Sequence, residues 1–412
     1  MTQQPPPFNP DADFLRADPY PSMGEIRELD PLHRAEFGYW VVSRFEDVRA
    51  VLMDRSGFGQ GDFVKNIQLF YGPDFDPLAE PAYRWLSEVF LMQDPPQHTR
   101  IRGLVTGALT ARRVRAMEPR IREIADSLID SFVGKGEVDV ITDFAYRLPV
   151  MVMCDMLGVD PDDPELPAVV NAIAQSFIVF EARQLSNAEL TTANREIELL
   201  EEFFGRLFAE RQKNPRDDLA TALVQSEDPT AGDVDPLSHR ELVTVAIGLF
   251  GAGFETTAHL IGNGMLCFGR NPDQWLALTQ APQALAAGTV DEVLRYESSL
   301  IATYRTALEQ RTFHGRAVEP GDKVLTLVGA ANRDPRVFTD PERFDISRCG
   351  EGHMSFGGGI HYCVGAELAR IEGRVAFEHL ARRLPKACAD IANPAWRDGF
   401  MFRGLGSLRL SW

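Results

Sequence analysis

The 412-residue chain is poor in the features that mark several protein classes. Basic charge is scarce. Forty-two Lys and Arg against 60 Asp and Glu leave a net charge of −18, which argues against nucleic acid or an anionic membrane as partner. Cysteine is scarce too. The five, Cys154, Cys267, Cys349, Cys363 and Cys388, are odd in number and scattered, which excludes a disulfide framework and suits a reducing, cytoplasmic setting. Long apolar runs are missing: the longest, Leu242 to Phe254, stops at Glu255 and is too short to span a bilayer. The start, Met1-Thr2-Gln3-Gln4-Pro5-Pro6-Pro7, has neither a basic segment nor an apolar core, so no signal peptide or membrane anchor is expected. No linker, internal repeat or charge block divides the chain. The expectation is one domain over residues 1–412, with no fused reductase or ferredoxin domain.

With 44% hydrophobic and 25% charged residues, the composition is that of a globular protein. One segment opposes the overall charge. Between His98 and Arg122 lie Arg100, Arg102, Arg112, Arg113, Arg115, Arg120 and Arg122 against a single acid, Glu118. That pattern reads either as a solvated helix face or as a docking surface for an acidic partner.

Helical periodicity dominates. Phe37 to Val42 reads as a strand and Arg44–Asp54 as a helix. Residues 56–93 form an irregular region rich in Gly, Pro and aromatics. Long helices are expected at Ala111–Phe132, Asp143–Leu157, Glu165–Phe180, Asn187–Arg211 and Arg240–Arg270, then Ala287–Tyr296 and Gly365–Leu384. Phe313–Leu327 reads as short strands around Glu319-Pro320-Gly321-Asp322. The class is mainly α with a smaller β-rich part.

The most informative stretch is Phe356-Gly357-Gly358-Gly359-Ile360-His361-Tyr362-Cys363-Val364-Gly365. Consecutive glycines permit left-handed or close-approach backbone, and Cys363 then sits where the chain enters a run of helix formers. A cysteine at a helix N-terminus is held as thiolate by the dipole and the unpaired N–H groups. Such an arrangement suits a thiolate bound to a flat iron cofactor. Two other readings stay open on these residues: a buried small hydrophobe, or zinc held by Cys349, His353, His361 and Cys363. The one-residue spacing of His361 and Cys363 makes a poor zinc knuckle.

At Phe356, Gly359, His361, Cys363 and Gly365 the stretch resembles the haem-binding signature of the cytochrome P-450 family, and the order of elements resembles that family over nearly the full length. The resemblance implies a helical, prism-shaped fold with haem b between a long central helix and the cysteine loop. It makes Cys363 the axial thiolate of the haem iron, with Gly365 and its neighbours leaving N–H groups to tune the sulfur.

The middle of Arg240–Arg270 reads Gly251-Ala252-Gly253-Phe254-Glu255-Thr256-Thr257. Glycines cost about 1 kcal/mol each inside a helix, and a buried acid costs more unless paired. On those grounds a core helix has no structural reason to accept both, and the Thr256 hydroxyl can bond back to Ala252 and open the helix locally. The resemblance makes Glu255 the proton relay and Thr256 the residue that holds dioxygen and a water.

Glu292 and Arg295 share one helical face. By resemblance they form a structural triad with an arginine of the following coil, assigned to Arg343 in Pro341-Glu342-Arg343-Phe344. His98 and Arg102, at i and i+4, are implied to bind haem propionate together with Arg305 and His361. For Arg305, residue type alone would suggest a surface strand arginine. After Arg295 the family commonly places proline, whereas this chain has Glu297-Ser298-Ser299, a change expected to reshape the substrate wall.

The implied reaction is monooxygenation. One oxygen atom from O2 enters a hydrophobic small molecule, with electrons from a separate ferredoxin or flavodoxin docking near Arg112 and Arg113. An H2O2-driven peroxygenase and a non-catalytic haem gas binder are the alternatives; the first lacks the acid–Thr pair, and the second has no need of it. Candidate substrate-wall residues are Phe177, Phe180, Ala252, Ile301, Ala302 and Met401, from mostly apolar segments. Lys65, Arg84 and Arg183 are candidate anchors for a carboxylate.

Overall fold

The computed structural model describes residues 8–9, 17–35, 38–181, 183–226, 235–348 and 352–412. These fall into two compact units. The first is built from the described residues of 1–59, 118–149 and 256–412, the second from those of 60–117 and 150–255. The long central helix, His239–Arg270, gives its residues up to Glu255 to the second unit and the rest to the first.

The first unit contains every strand among the described residues. Its main sheet has five, in the order Leu32–Arg34, Trp40–Val42, Lys323–Thr326, Thr303–Ala307 and Phe58–Gly59. Trp40–Val42 runs parallel to Lys323–Thr326, with Trp40 opposite Val324, and the other pairings are antiparallel. The sheet and helix Phe45–Met53 close a core of Leu32, Val42, Phe45, Val48, Phe58, Val324, Phe338 and Met354. Helix Pro282–Tyr296 packs on the C-terminal helix Ala366–Arg383. Gly373 permits this: a Cβ there would stand 3.0 Å from Val290 and 2.9 Å from Leu260 of the central helix.

The second unit is helical among its described residues. Helix Asn187–Lys213 starts at a capping box, in which the Ser186 side chain accepts from the Glu189 N–H and Glu189 reaches back to the Ser186 N–H. The two satisfy orphan donors reciprocally.

Three expected helices are divided. Ala111–Phe132 is two, Ala111–Ala116 and Glu118–Asp130. Pro119, which lacks an N–H, fits only the first turn of a new helix. Asp143–Leu157 begins as a π turn, Ile141–Ala145, and continues as helix Arg147–Leu157, with Pro149 in its first turn. Glu165–Phe180 is helix Leu166–Ser176 followed by a 3-10 turn at Phe177–Phe180. The strand expected from Phe37 is observed as Trp40–Val42; Phe37 itself lies outside the described residues.

By length and apolarity the central helix is, among the described residues, the one helix that could cross a membrane, yet 72% of its most apolar window is buried inside the protein. That burial is characteristic of a core helix.

Candidate active site

In the first unit the cysteine loop turns on Gly357 and Gly359, with φ of +69° and +63°, a region that favours glycine. Gly359 is also held close to a neighbour: a Cβ there would lie 2.6 Å from the Leu52 carbonyl oxygen. Its N–H donates to Met53 Sδ at 3.1 Å. The loop closes where the Cys363 N–H donates to the Phe356 carbonyl at 2.9 Å. Phe356 is buried, with the Arg370 guanidinium 4.5 Å from its ring centre. Gly365 is the N-cap of helix Ala366–Arg383, and a Cβ on it would stand 4.0 Å from Cys363 Sγ. Cys363 is exposed and stands beside the positive end of an 18-residue helix, which favours a thiolate.

Arg305, in strand Thr303–Ala307, is only 5% exposed and donates to the Tyr304 carbonyl at 2.8 Å. It is therefore not a surface strand arginine. His361 is buried as well. An accessible sulfur on a glycine loop, with a buried guanidinium and a buried imidazole in the same unit, is a donor set that fits a thiolate-bound haem with anionic propionates. Zinc fares worse. Among the described residues no three of His, Cys, Asp and Glu gather into a metal-holding group. His353 faces Asp291 at 3.3 Å, and Cys349 lies outside the described residues.

In the second unit, His98 is buried and Arg102 half-buried on helix Gln97–Ala108, one turn apart. Of the basic segment, Arg100 pairs with Glu241, and Arg113 with Asp217 at 3.8 Å. Arg112 is exposed. In the first unit Arg122 bridges Glu118 and Glu378 at 3.1 and 3.0 Å. Much of the basic run is thus internal ion pairing.

The central helix runs as α-helix from His239 to Arg270, through the stretch around Thr256. Small side chains leave part of it accessible. Gly248 and Thr256 are half-buried and Ala252 exposed, an i, i+4, i+8 stripe on one face. Glu255 is buried beside it. The two glycines have packing reasons after all. A Cβ on Gly251 would lie 2.2 Å from the Phe177 ring, and one on Gly253 would lie 2.5 Å from Met153 Sδ.

Glu292 and Arg295 form a bidentate pair at 2.7 and 2.8 Å, both about 2% exposed. The third arginine is Arg348, not Arg343. Arg348 Nε reaches Glu292 Oε2 at 3.1 Å, while the Arg343 side chain is 65% exposed and 3.8 Å from Asp345. Buried Phe344 takes the inward place next to Arg343, and Arg343 contributes only its carbonyl, to Arg295 at 3.1 Å and Arg348 at 3.0 Å. The turn that returns Arg348 begins at Asp345, whose N–H donates to Glu292 at 2.8 Å.

A polar node at Asn332 was not visible in the sequence. Its amide donates to Ser298 at 3.0 Å and Ser355 at 2.8 Å and accepts from the Met354 N–H at 2.7 Å. Ser355 also donates to the Leu294 carbonyl at 2.6 Å. The end of the ion-pair helix is thereby tied to the start of the cysteine loop. The only sequence signal was the replacement segment Glu297-Ser298-Ser299.

The expected wall residues differ in exposure, and Ala252 is the exposed one. Phe177 is buried against Trp85, with ring centres 5.9 Å apart, and Phe180 is half-buried on the same ring. Ile301, Ala302 and Met401 are also buried. Leu300 and Phe402 pair across an antiparallel bridge, and these two are the half-exposed members of their segments. Of the carboxylate anchors, Arg183 is engaged by Glu189 at 2.7 Å and Lys65 by Asp62 at 3.5 Å.

The family model described as Cytochrome P-450 matches residues 60–385. Mycinamicin IV hydroxylase/epoxidase of Micromonospora griseorubida is 36% identical over 420 residues, covering 98% of each chain. 6-Deoxyerythronolide B hydroxylase of Saccharopolyspora erythraea is 34% identical over 407 residues, 97% of each. Among solved structures, P-450BioI in complex with hexadec-9Z-enoic acid ligated acyl carrier protein superposes with a TM-score of 0.88 at 31% identity, covering 98% of this chain and 100% of that one. CalO2 gives 0.87 at 33%, covering 98% of both. The chain belongs to the cytochrome P-450 family, as an α+β oxidoreductase whose cofactor is haem b held by a cysteine.

Proposed function

We propose that this protein is a monooxygenase that inserts one oxygen atom of O2 into a hydrophobic small organic molecule, with Cys363 as the thiolate ligand of its haem. The observation that carries the reading is the exposed sulfur at a loop–helix junction, on a loop whose Gly359 has no room for a side chain. When bound, haem supplies the redox chemistry that cleaves dioxygen and oxidises the substrate.

The chain's own residues hold the rest. His98, Arg102, Arg305 and His361 neutralise the two propionates by charge-assisted hydrogen bonds. Phe356, Gly359 and Gly365 shape the loop around the sulfur. The Thr256 hydroxyl orients water, and Glu255 passes it protons. The small residues at Gly248 and Ala252 leave room above that face.

Electrons come from a separate ferredoxin or flavodoxin, docking near exposed Arg112 and half-buried Arg113, and the setting is cytoplasmic. Two relatives are named as a mycinamicin hydroxylase/epoxidase and a 6-deoxyerythronolide B hydroxylase, and one neighbour carries an acyl-chain ligand. Macrolactones and long-chain acyl compounds are therefore the first substrates to test.

The test is turnover under isotopically labelled O2, with a surrogate ferredoxin and reductase, on compounds that first shift the haem spin state. One labelled atom per product is expected. Product formed only with added H2O2, and unlabelled from O2, would overturn the reading in favour of a peroxygenase.

A further inference from the structure

Glu297 opens the Glu297-Ser298-Ser299 segment that follows the ion-pair helix, and it is buried, 2% exposed. Its Oε1 accepts from the Tyr20 hydroxyl at 2.9 Å and from Arg403 Nε at 2.5 Å. Arg403 is buried too, with its guanidinium 3.5 Å from the Trp396 ring centre. Asn263, on the central helix, gives its amide group to both backbones, to the Glu297 carbonyl at 3.2 Å and the Arg403 carbonyl at 2.9 Å. The network joins four segments of one unit, at Tyr20, Asn263, Glu297 and Arg403, that are far apart in sequence.

Directly beyond it the two segments pair. The Arg403 N–H donates to the Ser299 carbonyl at 2.8 Å, and the Ile301 N–H to the Met401 carbonyl at 3.0 Å. Leu300 and Phe402 stand opposite each other between these bonds. Side chains alternate along such a pair. Ile301 and Met401 therefore turn into the protein, where they are buried, and Leu300 and Phe402 turn the other way, where they are half-exposed. A slip of one residue would exchange the two sets. Two backbone bonds are a weak lock by themselves, and the buried ion pair at the base of the bridge fixes which residues face outward.

We infer that Tyr20, Glu297 and Arg403 are positioning residues for substrate selectivity, holding the register that presents Leu300 and Phe402 as the specificity-determining pair. This rests on the haem monooxygenase reading above and deepens it. The residues do not touch the reacting atoms; they act through the wall.

Two iron-ligating probes of different size test it by spectral titration. Imidazole is too small to need the wall, whereas clotrimazole carries a bulky triphenylmethyl group. In Glu297→Gln the ratio of clotrimazole to imidazole Kd is expected to rise about tenfold, equivalent to about 1.4 kcal/mol, with the imidazole Kd unchanged. Tyr20→Phe removes one hydroxyl and should shift the ratio the same way by about threefold, which keeps the test available if the first variant fails to fold. Glu297→Asp, which keeps the charge, should restore part of the selectivity. A ratio unchanged or lowered in the variants, or both Kd values rising together, overturns the inference and leaves the network a fold-stabilising contact. Absence of any imidazole shift in the parent protein would instead overturn the haem reading itself, and the inference with it.

Discussion

Arg348→Ala should destabilise the protein far more than Arg343→Ala, although the local sequence favours Arg343 as the partner of Glu292. Glu292 and Arg295 are almost fully buried, and Arg348 approaches the same carboxylate at 3.1 Å. Arg348 also donates to the carbonyls of Thr339, Asp340 and Arg343 at 2.6, 3.1 and 3.0 Å. Removing one partner from a buried charge network costs about 3–5 kcal/mol. The bidentate Arg295 pair survives here, so the loss belongs at the lower end, about 3 kcal/mol. At roughly 2 °C per kcal/mol for a chain of this size, the midpoint should fall by about 6 °C. Arg343 offers an exposed pair at 3.8 Å, worth about 0–1 kcal/mol, so its loss should move the midpoint by less than about 2 °C. The assay is thermal loss of haem absorbance at one fixed scan rate, with both variants beside the parent. Equal losses, or a larger loss for Arg343→Ala, would refute the assignment of the third arginine.

Thr256→Ala should keep consuming reductant while product falls and peroxide rises, because protons no longer reach dioxygen in step; coupling equal to the parent's would remove Thr256 from the relay. Arg112→Glu with Arg113→Glu should slow reduction by an acidic ferredoxin without altering the haem spectrum. The parent's rate should fall with salt, since the Debye length is only about 8–10 Å near physiological ionic strength, and salt-independent reduction would return these arginines to an ordinary solvated face. Glu372 is fully buried, neither carboxylate oxygen has a hydrogen-bond partner among the described residues, and burial holds its carboxyl well above the usual range. A folded pKa above the unfolded one means that stability is lost as pH rises above about 4.5. Glu372→Gln should therefore gain over the parent progressively from that pH upward; a difference that does not change with pH would show that the carboxyl is not held neutral.

Much of this was legible in the residues, and the gaps have specific causes. The glycine run and Cys363 announced a tight loop entering a helix, because positive φ and helix propensity are local properties. The Glu292–Arg295 pair was readable from the resemblance, since its i, i+3 spacing recurs elsewhere in the chain and only its place between the central helix and the cysteine loop singles it out. Arg348 was not, because the coil between Arg343 and Arg348 reverses at a turn set by a hydrogen bond from Asp345 to Glu292, a contact 53 residues distant in sequence. Helix propensity alone makes Gly251 and Gly253 look costly; the Phe177 ring and Met153 sulfur packed against them come from distant segments and leave no mark in the local sequence. Hydrophobicity marks Ile301 and Met401 as it marks Leu300 and Phe402, but it cannot say which face of a pairing each occupies. The bridge between Leu300 and Phe402 decides that. The helix breaks at Pro119 and Pro149, in contrast, are marked in the sequence by proline itself, although the apolar period runs on through both.

The account stands most directly on Cys363, and the reduced, CO-bound absorption spectrum of the purified protein tests it. The parent should show its Soret band at about 450 nm, as expected for thiolate-ligated haem, and Cys363→His should lose that band while the chain still folds. A histidine-type band in the parent, or a thiolate-type band that survives in Cys363→His, would contradict the assignment.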